Sequence, residues 1–142
     1  MTKLAVMGAG AWGTTFAKVL ADGDYDVMLW ARRDDVADEI NSSHRNGDYL
    51  PGIRLPHNLK ASNSAEEVLA GAEQVYLAVP SQSLRENLIN WGHLIPKDAI
   101  IVSLMKGVEK DTGLRMSEVI VDTLGFPEDQ IAVVSGLSLI HI

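Results

Sequence analysis

The sequence predicts an α/β fold built on a doubly wound, mainly parallel sheet. Short apolar segments alternate with segments of helical length and mixed polarity along most of the chain. The apolar segments are nearly continuous in hydrophobic residues, which is typical of strands covered by helices on both faces of a parallel sheet. The chain has 142 residues, 46% of them hydrophobic, which suits one domain with one core. We therefore expect a single Rossmann-like domain over residues 1–136.

The amino-terminal part is predicted to form a β-α-β-α unit. Residues 4–7 form the first strand, a glycine-rich turn follows, and residues 14–20 have a helical pattern. Residues 26–31 make the second strand, and residues 34–45 make a polar helix whose Val36, Ala37 and Ile40 face inward. Residues 44–57 contain Asn-Gly, Pro-Gly and a further proline, so we expect an irregular loop there.

The alternation continues through the rest of the chain. We expect a short strand near residues 59–61, then a helix that begins at Ser64, carries Glu66 and Glu67 in its first turn and ends at Gly71. A buried strand over residues 74–79 ends at Pro80. The remaining elements are a helix over 81–91, a strand over 99–104, a helix over 114–124 and a strand over 130–135. In such a sheet the ligand crevice lies beyond the carboxyl ends of the strands.

Composition and charge exclude several classes of function. The formal net charge of −7 argues against binding nucleic acid or an anionic membrane through a general basic field. The absence of cysteine excludes disulfides and thiolate metal sites and fits a reducing cytoplasm. The four histidines lack ligand spacing, so we expect no metal site. No stretch approaches the roughly 18 apolar residues of a membrane span, and the first apolar run is too short for a signal peptide.

A glycine-rich turn after the first strand predicts a dinucleotide site. Gly8 permits the sharp turn, Gly10 lets the backbone approach a pyrophosphate, and Gly13 lets helix and strand pack closely. The first N–H groups of the following helix lack partners within it and lie at its positive end, so they favour phosphate. The alternative is a glycine turn with a purely structural role. The turn lies close to the first residue, and a second predicted strand follows it. Both features favour the nucleotide site.

Two arginines stand where such domains often carry an acidic residue for the adenosine ribose. Arg32 and Arg33 follow the second strand, and a guanidinium there makes charge-assisted bonds to a 2′-phosphate that a carboxylate would repel. This favours NADP over NAD as the cofactor. In the other interpretation the arginines cover the sheet edge or pair with Asp34 and Asp35.

Three further residues follow predicted strands or lie in the turn. Lys106 comes directly after a buried strand, so its ammonium group can face an anionic substrate across the crevice, or it can be an ordinary solvated lysine. Trp12 shields the cofactor or packs against the protein. Pro80 shapes the wall of the crevice rather than reacting.

Together these segments resemble a known family, the bacterial NAD(P)-dependent glycerol-3-phosphate dehydrogenases. The resemblance covers residues 1 to about 136 in order. It rests on Gly8-Ala9-Gly10-Ala11-Trp12-Gly13-Thr14, Trp30-Ala31-Arg32-Arg33, residues 46–51 with Tyr49-Leu50-Pro51, Ala78-Val79-Pro80-Ser81, and Lys106-Gly107-Val108-Glu109. The tryptophan within the turn and the Lys-Gly-hydrophobic-Glu segment make it specific.

The resemblance implies an enzyme that transfers hydride reversibly between NAD(P)H and dihydroxyacetone phosphate, giving sn-glycerol 3-phosphate for phospholipid synthesis. It also implies the cofactor and substrate contacts. Cofactor-binding residues are then Gly8, Gly10, Ala11, Trp12, Gly13, Arg32, Arg33, Tyr49, Pro80 and Lys106, and substrate-binding residues are Lys106, Gly136 and Ser138. The sequence leaves open whether the full-length parent assembles as a homodimer.

The last six residues depart from the family pattern. The family continues after Ser135-Gly136 with a proline and then a long helical domain that bears a catalytic lysine, whereas this chain continues from Leu137 to Ile142. Ser138 matches a substrate position by letter, with Leu137 before it instead of proline. We therefore expect residues 137–142 to be a non-native or truncated tail, no catalytic residue in this fragment, and cofactor binding without turnover.

Two other interpretations stay open. Another 3-hydroxy-acid dehydrogenase can be built on the same amino-terminal domain, and only residues of its substrate domain would separate it. A non-catalytic NAD(P)-sensing module would bind the cofactor and act on a partner. The apolar ending, with Leu137, Leu139, Ile140 and Ile142, argues against a naturally capped module because an evolved terminus more often ends polar.

Overall fold

A six-stranded, entirely parallel sheet forms the centre of the molecule. The computed structural model describes residues 2–134. The strands are β1 Lys3–Met7, β2 Asp26–Trp30, β3 Leu59–Ser62, β4 Gln74–Leu77, β5 Ile100–Ser103 and β6 Ile131–Val133. They lie in the order β3-β2-β1-β4-β5-β6, and every neighbouring pair is parallel. The doubly wound parallel sheet predicted from the sequence is therefore confirmed.

Within residues 2–134, five α-helices cover the two faces of the sheet, and each face has its own apolar core. The helices are α1 Ala11–Asp22, α2 Asp34–Ser43, α3 Ala65–Leu69, α4 Leu84–Trp91 and α5 Met116–Leu124. Buried residues of α1 and α2 pack with Leu4, Val6 and Leu29 on one face. Buried residues of α3, α4 and α5 pack on the other face with Val75, Leu77 and Ile101 among others.

The strand order creates a switch point between β1 and β4. From β1 the chain moves outward through β2 to β3, and it then returns to place β4 on the other side of β1. The connections that leave β1 and β4 therefore diverge at their carboxyl ends. A crevice opens at such a point, and ligands of open α/β sheets bind there.

The outer edge of β3 is closed by a side chain rather than by another strand. The Asn41 side chain donates from Nδ2 to the Ala61 carbonyl at 2.8 Å, and its Oδ1 accepts from the Ala61 N–H at 2.8 Å. The amide thus occupies both backbone groups of Ala61 as a neighbouring strand would. Such coverage protects an edge strand from pairing with another molecule.

Several predicted boundaries were wrong by a few residues. The first helix begins at Ala11 instead of residue 14, because the end of the glycine-rich turn is already helical. The second ends at Ser43, since His44 adopts a left-handed φ of 55°. β4 and β5 end at Leu77 and Ser103, short of residues 79 and 104.

Differences at the remaining elements are of the same size. The helix predicted over 81–91 begins as a 3₁₀ turn over Ser81–Ser83 before α4. The helix predicted from residue 114 begins at Met116, and the helix predicted to end at Gly71 ends at Leu69. The last strand covers Ile131–Val133, and the end of its predicted range, at residue 135, lies outside the described residues.

Candidate functional site

The switch-point crevice is a cavity of about 470 Å³. Its walls come from the glycine-rich turn, the end of β2, one loop residue and the segments that follow β4 and β5. They include residues 8–13, residues 30–33, Tyr49, residues 78–81, Leu104 and Met105. Of the residues predicted to bind a cofactor, the cavity wall contains Gly8, Gly10, Ala11, Trp12, Gly13, Arg32, Arg33, Tyr49 and Pro80.

The three glycines of the turn differ in what surrounds them. Gly8 has a φ of 126°, and a Cβ there would lie 2.6 Å from the Ala78 carbonyl oxygen. A Cβ on Gly13 would overlap the Gly8 carbonyl oxygen. A Cβ on Gly10 would meet no protein atom within 4 Å. Gly8 and Gly13 thus make the turn and the close helix packing expected from the sequence, whereas Gly10 leaves open space at the start of α1.

The N-terminus of α1 faces this space. Gly10 is its N-cap and has no side chain, and the Thr14 N–H donates to the Gly10 carbonyl at 3.0 Å. The N–H groups that precede Thr14 in the helix have no acceptor within it, because the turn that would supply one does not exist. Together with the helix dipole, these groups favour a negatively charged group at this position.

Trp12 joins the turn to the opposite wall of the cavity. Its side chain is 39% exposed, and its Nε1 donates to the Leu104 carbonyl, just beyond β5, at 3.2 Å. Its ring also meets the Phe16 ring edge-on, with centroids 6.0 Å apart. Trp12 therefore packs against the protein and lines the cavity at the same time, so the two interpretations of this residue are compatible.

A buried asparagine fixes the glycine-rich turn from behind. Asn46 is fully buried, and its Nδ2 donates to the Ala9 carbonyl at 3.0 Å and to Thr14 Oγ1 at 2.9 Å. The peptide bond between Ala9 and Gly10 is trans, so the Gly10 N–H points away from Asn46. These contacts were not predicted from the sequence, in which Asn46 belongs to a turn signal and to the family-like segment over residues 46–51.

The two arginines after β2 have different surroundings. The Arg33 guanidinium binds the Asp35 carboxylate through two contacts, Nε to Oδ1 at 3.1 Å and Nη2 to Oδ2 at 2.6 Å. Its Nη1 lies 3.4 Å from Asp48 Oδ2. Arg32 is exposed on the cavity wall and forms no ion pair among the described residues. The predicted pairing of the arginines with neighbouring acids thus holds for Arg33 with Asp35.

The contacts of Arg33 shift the pKa values of both partners. Hydrogen bonding and charge attraction from Arg33 lower the pKa of the Asp35 carboxyl. The same contacts raise the pKa of Arg33. Asp48 and Tyr49 belong to the loop over residues 44–57, so Arg33 connects this loop to the start of α2.

Lys106 lies beside the cavity rather than in its wall. It is exposed, and its carbonyl accepts a hydrogen bond from Ser81 Oγ at 3.1 Å. Next along the chain, the Val108 carbonyl accepts from Gln82 Nε2 at 3.0 Å. The segment that follows β5 is therefore attached to the start of α4.

A charged network completes this attachment. Arg85 Nε lies 3.0 Å from Glu109 Oε2, and Arg85 Nη1 lies 2.7 Å from Asp122 Oδ2 on α5. The Glu109 side chain is only 13% exposed. Hydrogen bonds from Arg85 and then from Thr112 lower the pKa of the Glu109 carboxyl. The acidic end of the Lys-Gly-hydrophobic-Glu segment thus has a structural partner.

Some of the residues predicted to bind substrate lie outside the part of the chain that the structure describes. Gly136, Ser138 and the predicted tail over 137–142 lie outside the described residues.

The His44 and His57 rings lie 4.2 Å apart. Within residues 2–134, His, Asp and Glu side chains form no group of three that could hold a metal ion. In the same range, no helix combines the length and apolar character needed to cross a membrane.

Comparison with known proteins identifies one family. Residues 3–141 match the model described as NAD-dependent glycerol-3-phosphate dehydrogenase N-terminus. The chain is 56% identical over 137 residues to a glycerol-3-phosphate dehydrogenase [NAD(P)+] of Corynebacterium diphtheriae, covering 96% of this chain and 41% of that protein. It is 54% identical over 136 residues to the Mycobacterium tuberculosis protein named glycerol-3-phosphate dehydrogenase [NAD(P)+] 2, covering 96% of this chain and 41% of that protein.

A solved structure agrees with these relatives. The crystal structure of glycerol-3-phosphate dehydrogenase from Coxiella burnetii superposes with a TM-score of 0.82 at 32% identity, covering 94% of this chain and 40% of that one. The chain thus spans about two fifths of the length of the proteins that it matches.

Proposed function

This chain belongs to the NAD-dependent glycerol-3-phosphate dehydrogenase family and matches the N-terminal part of its members, and we therefore propose that residues 1–136 form the cofactor-binding domain of such an enzyme. The whole enzyme would transfer hydride reversibly between NAD(P)H and dihydroxyacetone phosphate. The full-length parent would be a cytoplasmic homodimer. The family match covers almost all of the chain, which favours this function over that of another 3-hydroxy-acid dehydrogenase.

One observation carries the proposal of a dinucleotide cofactor. The space above Gly10, which a Cβ would begin to fill, lies at the N-terminus of α1 inside the 470 Å³ cavity. A pyrophosphate fits a position where backbone N–H groups converge without side chains. Arg32 lines the same cavity, beyond the end of β2. This arrangement suits a ligand with a phosphate at its centre and a second phosphate at its adenosine end.

The residues of the cavity would each serve a separate part of the cofactor. The start of α1 would bind the pyrophosphate, Arg32 and Arg33 the 2′-phosphate, and Tyr49 the adenosine half. Trp12 and Pro80 would form the walls that confine the rest of the ligand. When bound, the nicotinamide supplies the hydride in one direction and accepts it in the other. These side chains orient the cofactor and exclude water around it.

The substrate would bind beside the cavity rather than within the described wall. Lys106 follows β5 and is exposed next to Ser81, so its ammonium group would attract the phosphate of dihydroxyacetone phosphate and also contact the cofactor. Gly136 and Ser138 would border the same substrate.

The cofactor proposal is tested by titrating the purified chain with NADPH and NADH and following nicotinamide fluorescence. We expect both to bind, NADPH more tightly. Arg32→Asp should weaken NADPH binding by about tenfold or more and NADH binding much less, because only NADPH carries the 2′-phosphate. Arg54→Asp, an exposed arginine outside the cavity wall, is the matched control. Failure of both nucleotides to bind would reject the cofactor, and equal losses for both would reject the role of Arg32.

A further inference from the structure

We infer that Asp35 and Asp48 set the choice between NADP and NAD by engaging Arg33. The inference rests on the proposed function, since it concerns the adenosine end of the same cofactor. It concerns two carboxylates that are not themselves placed against the cofactor. Their effect would pass through the guanidinium that they bind, so both are specificity-determining residues.

The geometry leaves Arg33 with few donors for a ligand. Three of its nitrogens face carboxylate oxygens, two of them on Asp35 at 3.1 and 2.6 Å and one on Asp48 at 3.4 Å. A guanidinium has five N–H donors in a fixed fork, and a phosphate is held best by a parallel pair of them. The pair on Nε and Nη2 is already taken by Asp35. Arg32 has no ion pair in the described part of the chain and is the guanidinium ready for the phosphate.

The charges act in the same direction as the geometry. A 2′-phosphate adds up to two negative charges to the cofactor, and a 2′-hydroxyl adds none. With Asp35 and Asp48 in contact with Arg33, a phosphate that approaches this arginine must displace one carboxylate or lie close to it. Either event weakens NADPH binding and leaves NADH binding nearly unchanged. The two acids therefore restrain a preference for NADPH that Arg32 and Arg33 would otherwise make stronger.

The same contacts also hold the loop over residues 44–57 against the start of α2. Loosening that loop would weaken both cofactors together, because Tyr49 and Asn46 belong to it. The ratio of the two dissociation constants cancels this shared effect. A change in the ratio is therefore evidence for a role in specificity, and a parallel change in both constants is evidence for a structural role.

The test neutralises the carboxylates without changing their shape. Asp35→Asn, Asp48→Asn and the double variant are compared with Asp34→Asn, which alters an exposed acid of the same helical turn that forms no ion pair within residues 2–134. Dissociation constants for NADPH and NADH are measured by fluorescence titration at low and at high salt. We expect the double variant to raise the preference for NADPH by about three- to tenfold at low salt, and less at high salt.

Each outcome separates the inference from the proposed function. If the unsubstituted chain and the double variant bind both nucleotides with the same preference, the inference is wrong and the cofactor proposal stands. A lower preference for NADPH in the variant would likewise overturn it. If the unsubstituted chain binds neither nucleotide, the proposed function fails and the inference with it. Asp35 lies in the first turn of α2, so if its variants unfold, Asp48→Asn alone must still raise the preference, and no rise overturns the inference.

Discussion

At the scale of single residues, Gly10 and Gly13 have opposite reasons for being glycine. Gly10 is the N-cap of α1 and Gly13 lies in its first turn, and both have backbone conformations open to other residues. A side chain at Gly13 would overlap the Gly8 carbonyl, whereas one at Gly10 would enter the cavity. The fold therefore requires a glycine at Gly13, whereas the proposed ligand requires one at Gly10.

Alanine at these two positions should separate stability from binding. Gly13→Ala should lower the free energy of unfolding by about 1–3 kcal/mol, because the backbone of α1 must move away from β1. Gly10→Ala should change it by at most about 0.5 kcal/mol, yet weaken NADPH binding by about tenfold or more, because the methyl group would occupy the position proposed for the pyrophosphate. Urea unfolding and fluorescence titration measure the two effects. Full cofactor affinity in a folded Gly10→Ala variant would contradict the proposed position of the pyrophosphate.

Asn46 illustrates a residue-scale feature that sequence reasoning could not reach. The sequence shows an asparagine before a glycine, which indicates a turn. Its role depends on Thr14 and the Ala9 carbonyl, which lie more than thirty positions earlier and meet Asn46 only when the loop folds over the turn. Gly8, Gly10 and Gly13 were predicted because their spacing within six consecutive positions is a local pattern that is typical of a dinucleotide-binding turn. Long-range polar contacts have no such local pattern.

At the scale of elements, the segment after β5 is held in place by α4 and α5. Ser81, Gln82 and Arg85 of the α4 region contact residues 106–109, and Arg85 also binds Asp122 on α5. The segment carries Lys106, so its position depends on these contacts. Glu109 is the most enclosed acid of this network, and its lowered pKa makes its contribution depend on pH.

Glu109 should make the protein more sensitive to acid. Its carboxyl has a lower pKa in the folded chain than in the unfolded chain, so its stabilising contribution is complete above the unfolded value of about 4.3 and is lost as pH falls through the folded value. Glu109→Gln should therefore show a smaller fall in urea midpoint between neutral pH and about pH 3.5. Glu128→Gln, at an exposed acid, is the control and should follow the unsubstituted chain. Identical pH profiles for the chain and Glu109→Gln would contradict the prediction.

The elements themselves were largely predictable, and their ends were not. Continuous apolar runs predicted β1, β4 and β5 because both sheet faces are covered. The runs continue past the ends of the strands into Val79 and Leu104, which are buried and line the cavity, although the Leu104 N–H still donates to the Leu77 carbonyl at 3.0 Å. Burial continues there while regular pairing stops, so hydrophobicity alone places the strand ends too late.

At the scale of the whole molecule, the charged side chains on the described cavity wall are those of two arginines. Among residues 2–134, none that lines it is Asp, Glu, His or Lys. Its charged groups are Arg32 and Arg33, and a guanidinium does not lose its proton in proteins. Reduction of a carbonyl requires a proton for its oxygen as well as a hydride. Asp, Glu, His and Lys, which commonly donate such a proton, are therefore missing from the described part of the cavity wall, where Tyr49 carries a phenolic hydroxyl.

The 142-residue chain should accordingly bind NADPH without turning over dihydroxyacetone phosphate. Because NADPH should bind only the folded state, the melting temperature should rise as NADPH is added. The stabilisation should be about 2.7 kcal/mol when the NADPH concentration is about a hundred times the dissociation constant. Gly10→Ala should not be stabilised to the same degree, because the start of α1 would be blocked. In the same solutions, absorbance at the NADPH band should stay constant when dihydroxyacetone phosphate is supplied. Substrate-dependent oxidation of NADPH by the purified chain would contradict this prediction, and Lys106 beside the cavity and Tyr49 on its wall would be the first residues to replace.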